Sequence, residues 1–465
     1  MTAFVCRSVN RRPGRFLCLI LMLVLCCQPL IAPAGENERQ KIMTILQDSL
    51  SDLWAGRQFS PDLSRRQQAM KNMLAAETID KAELNGMLEN MLVPLLNREK
   101  TSRYVLRTMP ERFDNLLSPY LSWSDMRQII WRNLSSAIDK DNPFKITVGT
   151  LAPPGTPWLS VPENSVIRDI KHLSEGRIQI QIYGSGVMGE DPDVLKKMGD
   201  DQLDGCGCTA LGVLAACPEA SVLLLPGLFR NYEEVDYICE KFRKRLDKAF
   251  EQRGYILAAL IDTGFFNFFL KNYVADLAGL RNQKVQTWFG TLETAFYEEL
   301  GITPVPVKSP ETISALSSGR FDATLSPAAW MLGMQAYQYV HFYLTPPLLY
   351  SPAAVITSSD LKTRMQEAMG VSDNFAQNLQ EILVAEFNAL EPEWKRQIRI
   401  YEAKSLKAFE TKCGMQALTF SPEDMAVIEK AGQAVEKKLA GKVFSRDLLN
   451  DIHKALSDYR KAGTP

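Results

Sequence analysis

Few residues of this 465-residue chain are arranged as catalysis would require. There are three histidines, His172, His341 and His453, and none stands beside a serine, cysteine or carboxylate in a recognisable nucleophile and base signature. No glycine-rich phosphate loop, HExxH pair or nucleophile elbow occurs. The segment Gly205-Cys-Gly-Cys-Thr209 lacks the remaining glycine spacing of a dinucleotide fingerprint, so neither an enzyme nor a cofactor is expected. Cys206 and Cys208 are separated by one residue where zinc and dithiol sites use two, and no histidine is near, which marks them as small packing residues. The acidic group Glu190, Asp191, Asp193, Asp200, Asp201 and Asp204 does not follow the twelve-residue calcium loop. Helix starts and solvated faces account for it, and no metal is expected.

Across the whole chain, 46% hydrophobic and 23% charged residues describe an ordinary globular protein, and the length calls for two or three compact units. With 53 basic and 54 acidic side chains the net charge is -1, which offers no field for gathering nucleic acid. Residues 1–34 read as a signal peptide: Arg7, Arg11, Arg12 and Arg15 precede an apolar run from Phe16 to Cys27, and Ala32-Pro33-Ala34 follows. That run is about a dozen residues, short of the roughly 20 that cross a bilayer. Cleavage after Ala34 and a periplasmic location are expected; acylation at Cys26 or Cys27 is the alternative, disfavoured by the bulk of Leu25. Cys206, Cys208, Cys217, Cys239 and Cys413 then remain, an odd number that leaves at least one thiol unpaired.

Residues 38–142 carry a helical period throughout. Ile42, Ile45, Leu46, Leu50, Leu53 and Trp54 share one face, as do Leu84, Met87, Leu88, Met91, Leu92, Leu95 and Leu96, and again Met126, Ile129, Ile130, Leu134 and Ile138. An all-α domain is predicted. The period changes at Asp141-Asn142-Pro143, after which Phe144, Ile146 and Val148 alternate along a strand. A helix through Ile167, Ile170 and Leu173 leads to a second alternating strand, Ile178 to Ile182, and strand, helix, strand implies a parallel sheet. Further strands are expected at Val222 to Leu225, Tyr255 to Ile261, Phe265 to Leu270, Lys284 to Thr287, and near Val305 and Ala323. A helix is expected from Val235 to Phe250 and another through Leu292, Phe296 and Leu300. Pro352 to Thr357 returns the chain to the first α/β unit, and mainly helix follows.

Over residues 144–435 these pieces resemble the substrate-binding proteins of TRAP transporters, the DctP-like family. Seven segments stand in the family's order: Leu151-Ala-Pro-Pro-Gly-Thr-Pro-Trp158, Leu173-Ser-Glu-Gly-Arg-Ile-Gln-Ile180, Tyr183-Gly-Ser-Gly-Val-Met-Gly-Glu190, Gln202-Leu-Asp-Gly205, Leu225-Pro-Gly-Leu-Phe229, Asp276-Leu-Ala-Gly-Leu280 with Lys284-Val-Gln-Thr287, and Gly301 to Asp322. The resemblance implies a two-lobed periplasmic binding protein fold, type II-like, with long C-terminal helices behind the all-α domain. Lobe I would take residues 144–262, lobe II 263–350, and 351–461 the return to lobe I. It implies a receptor that closes around a small molecule and hands it to a small and a large membrane subunit; a ligand-sensing or interaction protein built on the same fold is the alternative. The helical domain is placed to make protein contacts.

Two departures bear on the ligand. Gln286 stands where the family places the arginine that pairs with a substrate carboxylate, and Phe266 stands at a second arginine position; a neutral amide cannot replace a guanidinium's charge. Lys284 shares the strand and could supply charge. The resemblance places Trp158, Phe265, Phe266, Trp288, Trp330 and Tyr350 around the cleft, with Asn267, Gln286, Thr287 and Thr209 as neutral polar contacts, though each aromatic also suits a core. An apolar or neutral ligand is the expectation.

Overall fold

The computed structural model describes residues 36–56, 68, 72, 81–117, 121–288 and 290–463; the expected signal peptide lies outside them. Among the described residues the N-terminal part contains α1 (Glu36–Trp54), α2 (Lys81–Arg98), α3 (Arg103–Leu117) and α4 (Trp123–Ser135). Of the apolar stripes read from the sequence, Leu46, Leu50, Leu88, Leu92, Ile129 and Leu134 are buried, Ile45 and Met87 are partly buried, and the Ile42 side chain lies outside those described. Sequence reading did not single out α3, although Leu106, Met109, Phe113 and Leu117 are buried along one face of it. Helix α4 starts at a reciprocal cap, Ser122 with Asp125.

The sheet is mixed, in the order β2-β1-β3-β9-β4-β7-β5-β6. Strand β1 (Phe144–Thr150) pairs in parallel with β2 (Ile178–Tyr183), Phe144 opposite Ile178, and with β3 (Gly205–Cys208). At the other end β5 (Val285–Thr287) lies parallel to β6 (Pro304–Pro306) and β7 (Ala323–Pro327). Between the two ends run β4 (Tyr255–Leu270) and β9 (Leu349–Ser358), antiparallel to each other; short β8 (Phe342–Leu344) pairs β4 and β10 (Gln416–Leu418).

Two strand expectations are corrected. Val222 to Leu225 belongs mainly to a buried 3₁₀ helix, Pro218–Leu224, because a short continuous apolar run suits a buried helical turn as well as a buried strand. Tyr255 to Ile261 and Phe265 to Leu270 are one 16-residue strand, not two. Its register against β9 shifts between Asp262 and Gly264, and Gly264, at φ 127°, supplies the conformation that lets the strand continue.

Short helices flank the strands: α5 (Pro157–Pro162), α6 (Arg168–Leu173), α7 (Asp191–Gly199) and α8 (Ala210–Ala216). Then come α9 (Tyr232–Glu251), α10 (Leu277–Arg281), α11 (Thr291–Leu300), α12 (Thr312–Ser317) and α13 (Ala328–Gly333). Helix α14 (Leu361–Met369) precedes the 40-residue α15 (Asp373–Lys412), and α16 (Pro422–Leu439) and α17 (Arg446–Lys461) end the chain. Helix α15 crosses one face of the sheet and also touches α3, α5 and α13.

The N-terminal helices do not close a core of their own. Their buried faces join Phe144, Ile146 and Ile178 of the sheet and Leu361, Met365, Leu379 and Leu383 of α14 and α15 in one hydrophobic cluster. Polar locks reinforce that join: Asn378 on α15 accepts from Thr101 N at 2.9 Å and donates to the carbonyls of Leu96 and Glu99. Arg127 reaches Glu386 through two bonds of 2.7 and 2.6 Å.

Candidate functional site

Where β4 and β9 run between the two ends of the sheet, a narrow recess that opens to solvent lies under α15. Ile261 and Thr263 of β4 and Ala353 to Val355 of β9 form part of its floor, continued by Thr150 of β1 and by Ile180 and Ile182 of β2. Trp158 and Leu159 come from α5, Thr209 from the residue before α8, Trp330 from α13, and Phe387 and Trp394 from α15. Among the described residues, no charged side chain lines it.

Each wall is held from behind. Pro157 in the first turn of α5 presets that turn, and the Trp158 indole donates to the Asp262 carbonyl at 2.9 Å. The Trp394 indole donates to the Pro157 carbonyl at 2.9 Å, so both rings present apolar faces while their N–H groups are engaged. Thr209 is fixed by Asp191 Oδ2, which accepts its hydroxyl at 2.6 Å, its amide at 2.8 Å and the Gly212 amide at 2.9 Å. Burial pushes the Asp191 carboxyl up to about 6 in spite of those three donors.

Trp330 rides on α13, whose first two amides, Ala328 and Ala329, donate to the two oxygens of Glu402 at 2.9 and 2.8 Å. Glu402 projects from α15 into the interior, and burial lifts its carboxyl to about 8. Beside it Asp262 accepts from the Tyr350 hydroxyl at 2.7 Å and from Arg399 Nε at 2.7 Å. Arg399 also pairs with Asp236 and lies 4.3 Å from the Tyr232 ring centroid. This polar layer ties α15 to the strands behind the cavity.

The structure thus brings together three of the ten residues selected from the sequence, Trp158, Thr209 and Trp330. The other seven lie outside the lining. Phe265 packs edge-on against Tyr350 and Tyr232, and Phe266 stacks on Trp288 at 6.0 Å. Asn267 donates to the Leu344 carbonyl at 2.8 Å, and Thr287 donates to Glu293 at 2.7 Å. Gln286 is 1% exposed; its amide donates to the Val307 carbonyl and to Thr312 Oγ1, and its oxygen accepts from Thr324. Lys284 precedes β5, is exposed, and reaches the Gly319 carbonyl. The residues missed were Phe387 and Trp394, whose signal was a shared face seven residues apart on the long C-terminal helix.

Among the described residues no group of three His, Cys, Asp or Glu side chains is disposed to hold a metal, and no helix is long and apolar enough to cross a membrane. Cys206, Cys208, Cys217 and Cys239 are buried thiols and Cys413 is exposed; none of the five is bridged.

The fold is that of known solute receptors. The sugar acid binding protein DctPAm from Advenella mimigardefordensis, in complex with galactonate, superposes with a TM-score of 0.60 at 17% identity, covering 68% of this chain and 98% of that one. A TRAP periplasmic solute-binding protein from Desulfovibrio salexigens with bound orotic acid gives 0.59 at 17% identity, over 68% and 99%. One from Haemophilus influenzae with bound L-gulonate gives 0.58 at 14% identity, over 67% and 99%. In sequence, a solute-binding protein from Chromohalobacter salexigens is 22% identical over 163 residues, 34% of this chain, and the match spans 48%, about half, of that relative's length. Residues 148–442, well over half of the chain, match the family model for DctP, bacterial extracellular solute-binding protein family 7, and the chain belongs to that family.

Proposed function

We propose that this protein is the extracytoplasmic receptor of a TRAP-type secondary transporter, a binding protein and not an enzyme, and that its ligand is uncharged and largely apolar. The family membership supports the receptor role. The carrying observation for the ligand is the recess at the strand crossing, lined by Trp158, Trp330, Phe387 and Trp394, whose polar side-chain groups among the described residues are threonine hydroxyls, the Cys208 thiol and indole N–H groups, none of them charged. Galactonate, orotic acid and L-gulonate in the neighbouring structures are all acids. A carboxylate needs a charged or multiply donating partner to leave water, and the lining side chains here supply none. The position of the family's arginine is filled by Gln286, whose amide is spent inside the protein.

In this reading export uses residues 1–34, with cleavage after Ala34 into the periplasm. Ligand enters between the two ends of the sheet, contacts Trp158 and Thr209 on one side and Trp330 on the other, and favours the closed form because it touches both sides only there. The closed receptor then docks on the membrane subunits. The N-terminal helices brace the sheet and α15 from the opposite side of the cavity's roof.

Native mass spectrometry of the mature protein purified from its own periplasm, followed by denaturing extraction, tests the ligand class. An uncharged, poorly water-soluble molecule is expected. Retention of a sugar acid or a dicarboxylate would overturn the uncharged reading and leave the receptor role in place.

A further inference from the structure

The two ends of the sheet touch each other beside the recess. Glu190 stands between β2 and α7 and belongs to the end built from β1, β2 and β3, whereas Ser309 follows β6 and belongs to the other end. The Ser309 amide donates to Glu190 Oε1 at 2.7 Å, a charge-assisted bond that crosses from one end to the other. Both partners are held in place for it. Asp193 Oδ2 accepts the Glu190 amide at 3.1 Å, and Ser309 is buried at the start of the 3₁₀ turn Ser309–Glu311.

Glycines allow so close an approach. A Cβ on Gly186, in the same loop as Glu190, would stand 3.2 Å from Pro310 Cγ and 2.9 Å from Leu151 Cδ2. At a second point Gly333, the last residue of α13, meets the loop between β1 and α5: a Cβ there would stand 2.8 Å from Thr156 Cγ2 and 3.4 Å from Pro153 Cγ. Thr156 lies two residues before Trp158 and Gly333 three residues after Trp330, so this contact sets how near the two recess tryptophans come. Glu190 in turn adjoins Asp191, whose carboxylate fixes Thr209 at the recess edge. The same short segments therefore build both the contacts and the recess, although Glu190, Ser309 and Gly333 lie outside its lining.

We infer that Glu190 and Ser309 form a latch, with Glu190 a positioning residue that holds the receptor shut without touching its ligand, and that Gly333 sets how far the latch can draw the two ends together. This rests on the reading of the protein as a receptor that closes, and not on the class of its ligand. The bond exists only while the ends are together, and a contact made in one of two states shifts the balance toward that state by its own free energy. A hydrogen bond to a charged group is enough to change the ratio of closed to open molecules by about tenfold.

The test is a distance distribution between the two ends, measured by pulsed electron spin resonance on the full mature chain with no ligand added. Spin labels are placed at Lys196→Cys on α7 and Ser317→Cys on α12, both exposed, in a Cys413→Ser background that removes the exposed native thiol. The unsubstituted latch should give a short-distance population that matches the structure. Ser309→Pro deletes the donor and keeps the turn, because Lys308 before it is extended at φ -63° and ψ 144° and proline suits the first position of a helical turn. It should lower the ratio of short to long distances about tenfold. Glu190→Gln keeps the shape of the acceptor without its charge and should lower the ratio less. Gly333→Ala should also lower it, by wedging the second contact, and should melt no lower than the parent because alanine is the better helix former. If Ser309→Pro melts well below the parent, Glu190→Gln decides. A parent with no short population, or one whose distribution Ser309→Pro and Glu190→Gln leave unchanged, would overturn the latch. Either result leaves the ligand class to the mass spectrometry.

Discussion

Arg103 of α3 grips Glu381 of α15 with two side-chain bonds, Nε to Oε2 at 3.0 Å and Nη2 to Oε1 at 3.1 Å, and its own backbone amide adds a third at 2.9 Å. Both side chains are less than a tenth exposed. The pair joins the N-terminal helices to the helix that roofs the cavity, so those helices are part of the receptor's frame. Arg103→Ala leaves the Glu381 charge enclosed without its main partner, and a loss of about 3–5 kcal/mol in urea unfolding is expected. The double variant Arg103→Met with Glu381→Leu should recover most of that loss, since replacing a buried pair by apolar groups is often neutral. A single variant as stable as wild type would show that α3 is only loosely joined to α15.

Gln286 decides whether acid binding can be restored by one substitution. Its amide is engaged by Val307, Thr312 and Thr324 in a closed interior, away from the cavity lining. Gln286→Arg puts a longer charged group into filled space, and a destabilisation of about 1–3 kcal/mol from overpacking is expected, with no gain of binding for succinate or glucuronate. Calorimetric titration of the variant with both acids checks this; micromolar binding of either would place position 286 at the ligand.

Stability should fall as pH rises from about 4.5 to about 8. Burial raises Glu402 from 4.5 to about 8, so across that window the folded protein holds a proton that the unfolded chain has released. The contribution is complete below the unfolded value and lost above the folded one. His453, raised by its hydrogen bond to Glu436, acts in the same direction. The comparison is therefore between wild type and Glu402→Gln, which cannot titrate. Wild type should show the larger drop in melting temperature between pH 5 and pH 8; equal slopes would contradict a raised carboxyl at this position.

The alternation of Phe144, Ile146 and Val148 and of Ile178 to Ile182 was readable because one face of each strand is buried, and the helical stripes before them for the same reason. Trp158 and Trp330, which the resemblance placed around the cleft, both line the recess. Gln286 was selected for its place at the family's arginine position, and position alone does not say that its amide is engaged by Val307, Thr312 and Thr324, while Lys284 lies before β5 and is exposed. Phe387 and Trp394 were hidden for a different reason. A 40-residue helix that packs first on other helices, then on a sheet, then over a cavity shows the same period throughout, and periodicity does not say which neighbour an apolar face meets.

Asp191 and Thr209 carry the last prediction. One carboxylate oxygen, Oδ2, accepts the Thr209 hydroxyl and amide and the Gly212 amide, which fixes the start of α8 at the edge of the cavity. Asp191→Ala removes the common acceptor and leaves enclosed donors without it, so a loss of about 1–3 kcal/mol is expected. Ligand affinity should fall with it, because the Thr209 side chain is then free to rotate away from the lining. Thr209→Val separates the two effects: it keeps the Asp191 bonds to both amides and nearly the same shape, so stability should change little while any ligand that hydrogen-bonds the Thr209 hydroxyl loses about tenfold in affinity. If Asp191→Ala and Thr209→Val reduce stability equally and leave binding of the ligand recovered from the periplasm unchanged, Thr209 is a cap for α8 and not part of the binding surface.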